Sequence, residues 1–313
     1  MNVLVTGGTG FIGSHVCKQL AAAGHKAVMF GRTASEARFK NFFTEDELAN
    51  VAFVQGDVLD VIQLIHALQD HECDAIVHEA FILLANTERN MPNGCEINIM
   101  GTINVFEAAR ICGIKRVVWA SSNAAIGAAE GIIDHNAKHD PTTVYGMCKH
   151  FDEFLGSFYN ERYGMETIGL RYVVVYGAGA VNSSVTWIGA FMAEPALGAK
   201  KVTAKFAQDV PNLVYVDDAA RATILALTSP YRRSFYNITG DIMSVPDMAA
   251  YAQEVFPGLE VELLDGQLYP SWEYDTTLEE EELGYRPSIT IKDGLIKTAN
   301  IVRERAGLPP LEV

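Results

Sequence analysis

At 313 residues with 49% apolar content, the chain is long enough for one large or two smaller domains and is globular rather than disordered. Its net charge of −15 argues against nucleic acid or an anionic membrane surface as partner, and no apolar run approaches the roughly 18 residues of a membrane span. The five cysteines (Cys17, Cys73, Cys95, Cys112, Cys148) are odd in number and lack CxxC spacing. They read as reduced thiols of a cytoplasmic protein, with no disulfide and no metal site expected.

The first strand begins at residue 2, so no signal peptide is expected ahead of the fold. Val3, Leu4 and Val5 form a short apolar run suited to a buried parallel strand. Thr6-Gly7-Gly8-Thr9-Gly10 is a turn, and an amphipathic helix follows from Phe11 to about Ala23, closed by Gly24-His25. Gly7, Gly10 and Gly13 are spaced three apart between strand and helix. There the backbone can approach a pyrophosphate that the helix N-terminus attracts, so this stretch predicts a dinucleotide site.

Strands are then expected at Lys26–Phe30, Val51–Gln55, Ala75–His78, Arg116–Ala120 and Glu166–Arg171, with helices near 60–70, 96–112 and 145–163. This alternation implies βαβ crossovers and a parallel sheet covered by helices on both faces. Past Gly177 the pattern loosens. A short strand is expected at Leu213–Val216, a helix capped by Asp217 to about Thr228, a strand at Phe235–Ile238 and another near Glu260–Leu264. The Glu279–Glu282 run reads as a solvated helix face.

Five places carry chemistry. The second strand ends Gly31-Arg32-Thr33, with no carboxylate to bind the 2′-OH of NAD; Arg32, with Thr33 or Ser35, suits the 2′-phosphate of NADP. Asp57 and Val58 follow the third strand beside the adenine position, and His78-Glu79-Ala80 ends the fourth beside the pyrophosphate. His78 taken alone is more often a satisfied core histidine, but Glu79 at a central strand end is costly unless paired or exposed. Ser121-Ser122 closes the strand after Ala120, at the edge where open sheets bind ligands. Tyr145 and Lys149 lie i, i+4 on one helix face, so the ammonium can draw the phenol towards ionisation.

With these residues in place, the chain resembles the extended short-chain dehydrogenases/reductases, the group that contains the NAD(P)-dependent epimerases and dehydratases. Thr6–Gly13 (with Phe11 and Ile12), Asp57-Val58, Val77–Ala80, Asn98–Thr102, Ser121-Ser122, Tyr145–Lys149, Leu170–Tyr172, Val175–Gly177, Val214–Asp218 and Tyr236–Ile238 carry the likeness in order along nearly the whole chain. The resemblance implies a doubly wound α/β Rossmann domain of residues 1–177 plus 213–240, with a sheet of six or seven strands. Residues 178–212 plus 241–313 would form a small substrate-binding lobe. It also implies a Ser122–Tyr145–Lys149 triad, Asn98 supporting the active-site water and backbone, Ala120 among the cofactor contacts, and a homodimer through the helices near 101–112 and 145–163.

Two departures bear on substrate. Val174 stands where sugar-nucleotide members carry asparagine, and Asp209–Leu213 lacks the arginine that holds a diphosphate. The expectation is therefore an oxidoreductase using NADP or NAD to interconvert a secondary alcohol and ketone on a small non-nucleotide substrate. An epimerase or dehydratase of a sugar or sugar nucleotide is the alternative, and a non-catalytic NADP sensor a third. Pro270-Ser271-Trp272 faintly resembles the threonine-oxidising branch.

Overall fold

A computed structural model describes residues 1–39, 42–129, 131–180, 187–267 and 273–312. Pro270-Ser271-Trp272 lies outside the described residues. The strands are β1 (Asn2–Thr6), β2 (Lys26–Gly31), β3 (Val51–Gln55), β4 (Ala75–His78), β5 (Arg116–Ser122), β6 (Glu166–Tyr172), β7 (Val174–Tyr176), β8 (Lys201–Ala204), β9 (Asn212–Tyr215), β10 (Phe235–Ile238), β11 (Asp241–Ile242) and β12 (Glu260–Leu263). The helices are α1 (Phe11–Ala22), α2 (Glu36–Phe39), α3 (Glu45–Leu48), α4 (Val61–Asp70), α5 (Leu84–Arg89), α6 (Met91–Cys95), α7 (Gly101–Cys112), α8 (Val144–Tyr163), α9 (Trp187–Ala196), α10 (Val216–Thr228), α11 (Val245–Val255), α12 (Thr277–Leu283) and α13 (Ile291–Arg305).

Seven parallel strands form the main sheet in the order β10-β6-β5-β4-β1-β2-β3. Six come from the first 172 residues, as the alternation implies, and β10 returns beside β6. Strand side chains alternate between two cores. Val3, Val5, Met29 and Val77 pack with α1 and α10, while Leu4, Val28, Ile76 and Trp119 pack with α4, α7 and α8. Burial on both faces explains why these strands read as unbroken apolar runs. The order reverses between β1 and β4, and it is outside such a reversal that ligands bind in open α/β sheets.

The expected strand at 213–216 does not join the main sheet. It is β9, and it pairs with β7 and β11 in a separate three-stranded sheet. Around it Tyr176, Phe191, Met192, Leu213, Tyr215, Met248 and Leu295 form a third core.

Three other expectations are corrected. Asp217 does not cap α10; Tyr215 holds the cap position, and the Asp217 carboxylate reaches His15 Nδ1 at 2.8 Å. The helix near 96–112 begins as one turn of π-helix, Glu96–Met100, before α7. The Glu279–Glu282 run is not wholly solvated. Glu279 is fully buried against His135 Nε2 at 3.0 Å, and Glu282 binds Arg233 and Tyr236. Among the described residues no helix is long and apolar enough to cross a membrane.

Candidate active site

The turn after β1 is a cradle that only glycine builds. Gly7 has φ +69°, and a Cβ there would lie 2.4 Å from the Glu79 carbonyl oxygen. A Cβ on Gly13 would lie 2.3 Å from the Gly7 carbonyl oxygen. Gly10 is the N-cap of α1 and, having no side chain, leaves the first helical amides uncapped. Backbone donors at a helix N-terminus, with the chain pressed against the end of β4, fit a dinucleotide pyrophosphate. Ile12 is buried, and the Phe11 ring lies 3.4 Å from where a Gly177 Cβ would stand.

At the end of β2, Arg32 and Thr33 are exposed, and Arg32 has no ion-pair partner among the described residues. The Thr9 hydroxyl lies 2.8 Å from the position of a Gly31 Cβ, so it occupies the space that a longer residue 31 would enter. Asp57 is half-buried and its Oδ1 accepts from the Leu59 amide at 3.0 Å. Val58 is buried under Gly101, and Ala80 follows β4 at the cleft.

His78 turns inward. Thr102 Oγ1 donates to the Asn98 carbonyl at 2.6 Å, so it accepts from His78 Nε2 at 3.2 Å. Nδ1 therefore accepts from Thr6 Oγ1 at 2.6 Å. Both nitrogens are engaged inside the protein, and burial holds the ring neutral, with its pKa down at about 3. Any part His78 takes at the cofactor falls to its backbone. Asn98, on the π-helical turn, clamps the loop after β4: its Oδ1 accepts from the Ile82 amide at 2.7 Å and its Nδ2 donates to the Ile82 carbonyl at 3.1 Å.

Tyr145 and Lys149 sit on the first turns of α8, both buried. Thr143 caps this helix, and the Glu88 carboxylate from α5 accepts from the Val144 amide at 2.8 Å and the Tyr145 amide at 3.4 Å. Ser122 ends β5, and its Oγ accepts from the Ala124 amide at 3.2 Å. The Lys149 ammonium donates to the Ala120 carbonyl at 2.7 Å and lies 4.9 Å from the Phe81 ring centroid. Ala120 thus fixes the lysine from the strand that carries Ser122.

Two buried carboxyls flank that lysine. Asp152, one turn on, has Oδ2 3.7 Å from Lys149 Nζ and is fully buried. Glu79 receives a hydrogen bond from Tyr172 at 3.1 Å, and burial pushes its pKa up to about 8 against the pull of Tyr172 and Lys149. Burial also pushes Asp152 up and Lys149 down, each opposed by the other's charge. In a low-dielectric pocket one ammonium calls for one carboxylate. The carbonyl bond and the aromatic face favour the charged amine, Asp152 is the carboxyl in ion-pair reach of it, and burial pushes both Asp152 and Glu79 up to about 8, towards their protonated forms.

The sequence pointed to Glu79 and not to Asp152, whose only signal was its place one turn after Lys149. A second acid, Glu153, forms a bidentate pair with Arg171, at 2.8 Å on each oxygen, and accepts from Ser121 at 2.7 Å. His139, His150 and Glu153 could together offer three ligand atoms, all within 4.8 Å of one another. The Arg171 guanidinium already stands at that cluster, 3.1 Å from His139 Nε2.

Comparison with known proteins gives the family. The model of the NAD dependent epimerase/dehydratase family matches residues 3–239. A putative UDP-glucose 4-epimerase of Methanocaldococcus jannaschii is 28% identical over 95% of this chain and 97% of its own length. The UDP-glucose 4-epimerase of Lacticaseibacillus casei is 30% identical over 72% of each chain. Among solved structures, the UDP-glucose-4-epimerase of Stenotrophomonas maltophila, with bound NAD and formylated UDP-arabinopyranose, superposes with a TM-score of 0.85 at 25% identity, over 98% of this chain and 99% of that one. A glycine cradle at the sheet reversal, a tyrosine and lysine on one helix turn, and a family match across most of the chain leave no place for a non-catalytic sensor. The chain is an enzyme of the extended short-chain dehydrogenase/reductase type and belongs to the NAD dependent epimerase/dehydratase family.

Proposed function

We propose that this enzyme epimerises or dehydrates a sugar or sugar nucleotide through a transient ketone, returning the hydride to the molecule that gave it. Tyr145 and Lys149 on one buried turn beside the Ser122 strand end carry this reading. It is supported by the names of the relatives, UDP-glucose 4-epimerases. The bound nicotinamide supplies a reversible hydride acceptor. Tyr145 takes the proton of the substrate hydroxyl and returns it, Ser122 donates a hydrogen bond to the same oxygen, and the Lys149 charge favours the phenolate. The test is turnover of UDP-hexoses by purified enzyme with no cofactor added, followed by NMR of the product. Product formed without added cofactor supports the proposal. Net change in nicotinamide absorbance on a small alcohol, with no UDP-hexose turnover, would overturn it.

That second outcome is the oxidoreductase reading, favoured by one observation. Val174 stands where sugar-nucleotide members carry asparagine, and the stretch 209–213 offers no guanidinium for a diphosphate.

The same proposal takes residues 1–177 with 213–240 as the cofactor half and 178–212 with 241–313 as the substrate half, in a cytoplasmic enzyme. We infer NADP preference from the exposed Arg32 and the missing carboxylate at Gly31. A homodimer through α7 and α8 is supported by the outer face of α8. Met147, Phe151, Phe154, Phe158 and Tyr163 are exposed there, with Phe154 62% accessible.

A further inference from the structure

The sulfurs of Cys95 and Cys148 lie 3.8 Å apart. Cys148 is buried on α8 between Tyr145 and Lys149, and Cys95 ends α6 with its side chain partly open to solvent. A disulfide needs the sulfurs at about 2.05 Å, so the remaining closure is about 1.8 Å, within reach of side-chain rotation and a small helix shift. The two segments that would be joined both bear on the proposed site. Cys148 precedes the lysine that donates to Ala120. Cys95 precedes the π-helical turn whose Asn98 clamps Ile82.

We propose that Cys95 and Cys148 form an oxidisable dithiol whose closure switches the enzyme off, with a peroxide as oxidant. Cys95 is the sulfur a peroxide reaches first, because Cys148 is buried and its thiol is pushed up to about 12 by that burial. The Cys95 thiol takes one peroxide oxygen, giving a sulfenic acid and one water. The Cys148 sulfur then displaces the hydroxyl from the Cys95 sulfur, its proton leaves with that hydroxyl as a second water, and the S–S bond forms. Two thiols lose two electrons in all, and one hydrogen peroxide becomes two waters. Closure drags α8 and α6 together, and a shift of about 1 Å in a catalytic helix costs on the order of 100-fold in rate.

The consequence for turnover rests on the triad reading, but the covalent chemistry does not. Purified enzyme with its cofactor is treated with hydrogen peroxide, then digested without reduction. Mass spectrometry is expected to find a Cys95–Cys148 cross-linked peptide two hydrogens lighter than the paired thiols. Turnover is expected to fall at least tenfold and to return with dithiothreitol. Cys95→Ser should keep its basal rate and lose the response, while Cys112→Ser should keep both. Absence of the cross-link after peroxide treatment overturns the proposal. So does a cross-link that leaves turnover and NAD(P) affinity unchanged, or equal peroxide inactivation of Cys95→Ser. If no substrate is turned over at all, the triad reading is in error, and the cross-link with a change in NAD(P) affinity still decides the dithiol.

Discussion

Replacing Glu79 with glutamine removes a carboxyl that burial pushes towards its protonated form. Glu79 is buried, one oxygen accepting from Tyr172 at 3.1 Å and the other without a hydrogen-bond partner. Its pKa rises to about 8 in the fold, from the 4.5 of a free side chain. The sign follows from proton binding. Between those two values the folded state holds a proton that the unfolded state has released, so stability falls as pH rises through that window. A displacement of this size corresponds to about 4–5 kcal/mol when complete. The amide of glutamine mimics the protonated acid in shape and in its acceptor for Tyr172, but has its own desolvation cost, which leaves a gain of about 2–4 kcal/mol.

Glu79→Gln should therefore be more stable than wild type at pH 8 and slightly less stable at pH 4.5, where only the amide's own desolvation cost remains. For a chain of this size the midpoint should rise by roughly 4–8 °C at pH 8. Thermal unfolding followed by circular dichroism, from pH 4.5 to 8.5, measures it. A gain independent of pH, or a variant less stable at pH 8, would show that Glu79 is ionised in the fold and that the Lys149 pocket holds two carboxylates.

Tyr145→Phe removes only the titrating oxygen and should lower kcat by about 100-fold or more while cofactor affinity is kept, as read by fluorescence titration. Asp152→Asn removes the charge 3.7 Å from Lys149, so the amine should lose its proton at lower pH. The alkaline limb of the kcat/KM profile should move down by about one pH unit or more, and an unmoved limb would mean that Asp152 only fills space. Arg32→Ala should weaken NADP at least about tenfold and leave NAD nearly unchanged; equal effects on both would make Arg32 an ordinary surface charge. Phe154→Asp should halve the mass seen by light scattering, because it places a charge on the most exposed aromatic of the α8 stripe.

The fold was legible where burial is symmetrical and contacts are local. Val3-Leu4-Val5 and Ala75–His78 are enclosed on both faces, so composition alone marks them as strands. The glycine turn was legible because close approach excludes every larger side chain at Gly7 and Gly13. What escaped depends on partners far along the chain. Asp217 has the look of a cap, yet its carboxylate is taken by His15, 202 residues away. Glu279 belongs to an acidic run that composition places in water, yet it accepts from the backbone of Asn237 and meets His135. No local pattern distinguishes a solvated carboxylate from one whose partner arrives only when the sheet closes.

Helix α8 shows how one segment can carry separate functions at different angles around its axis. Tyr145, Lys149, Asp152 and Gly156 recur at three and four residues and face the sheet, where each is buried. Met147, Phe151, Phe154 and Phe158 recur at the same spacing on the opposite side and remain exposed. Cys148 lies between the two faces, against Cys95 of α6. The proposed subunit contact, the proposed thiol switch and the proposed proton-transfer groups are therefore joined by one rigid rod, whose N-terminus Thr143 and Glu88 fix. A displacement at any of the three is transmitted to the other two, because a helix moves as a unit while its i, i+4 backbone bonds hold.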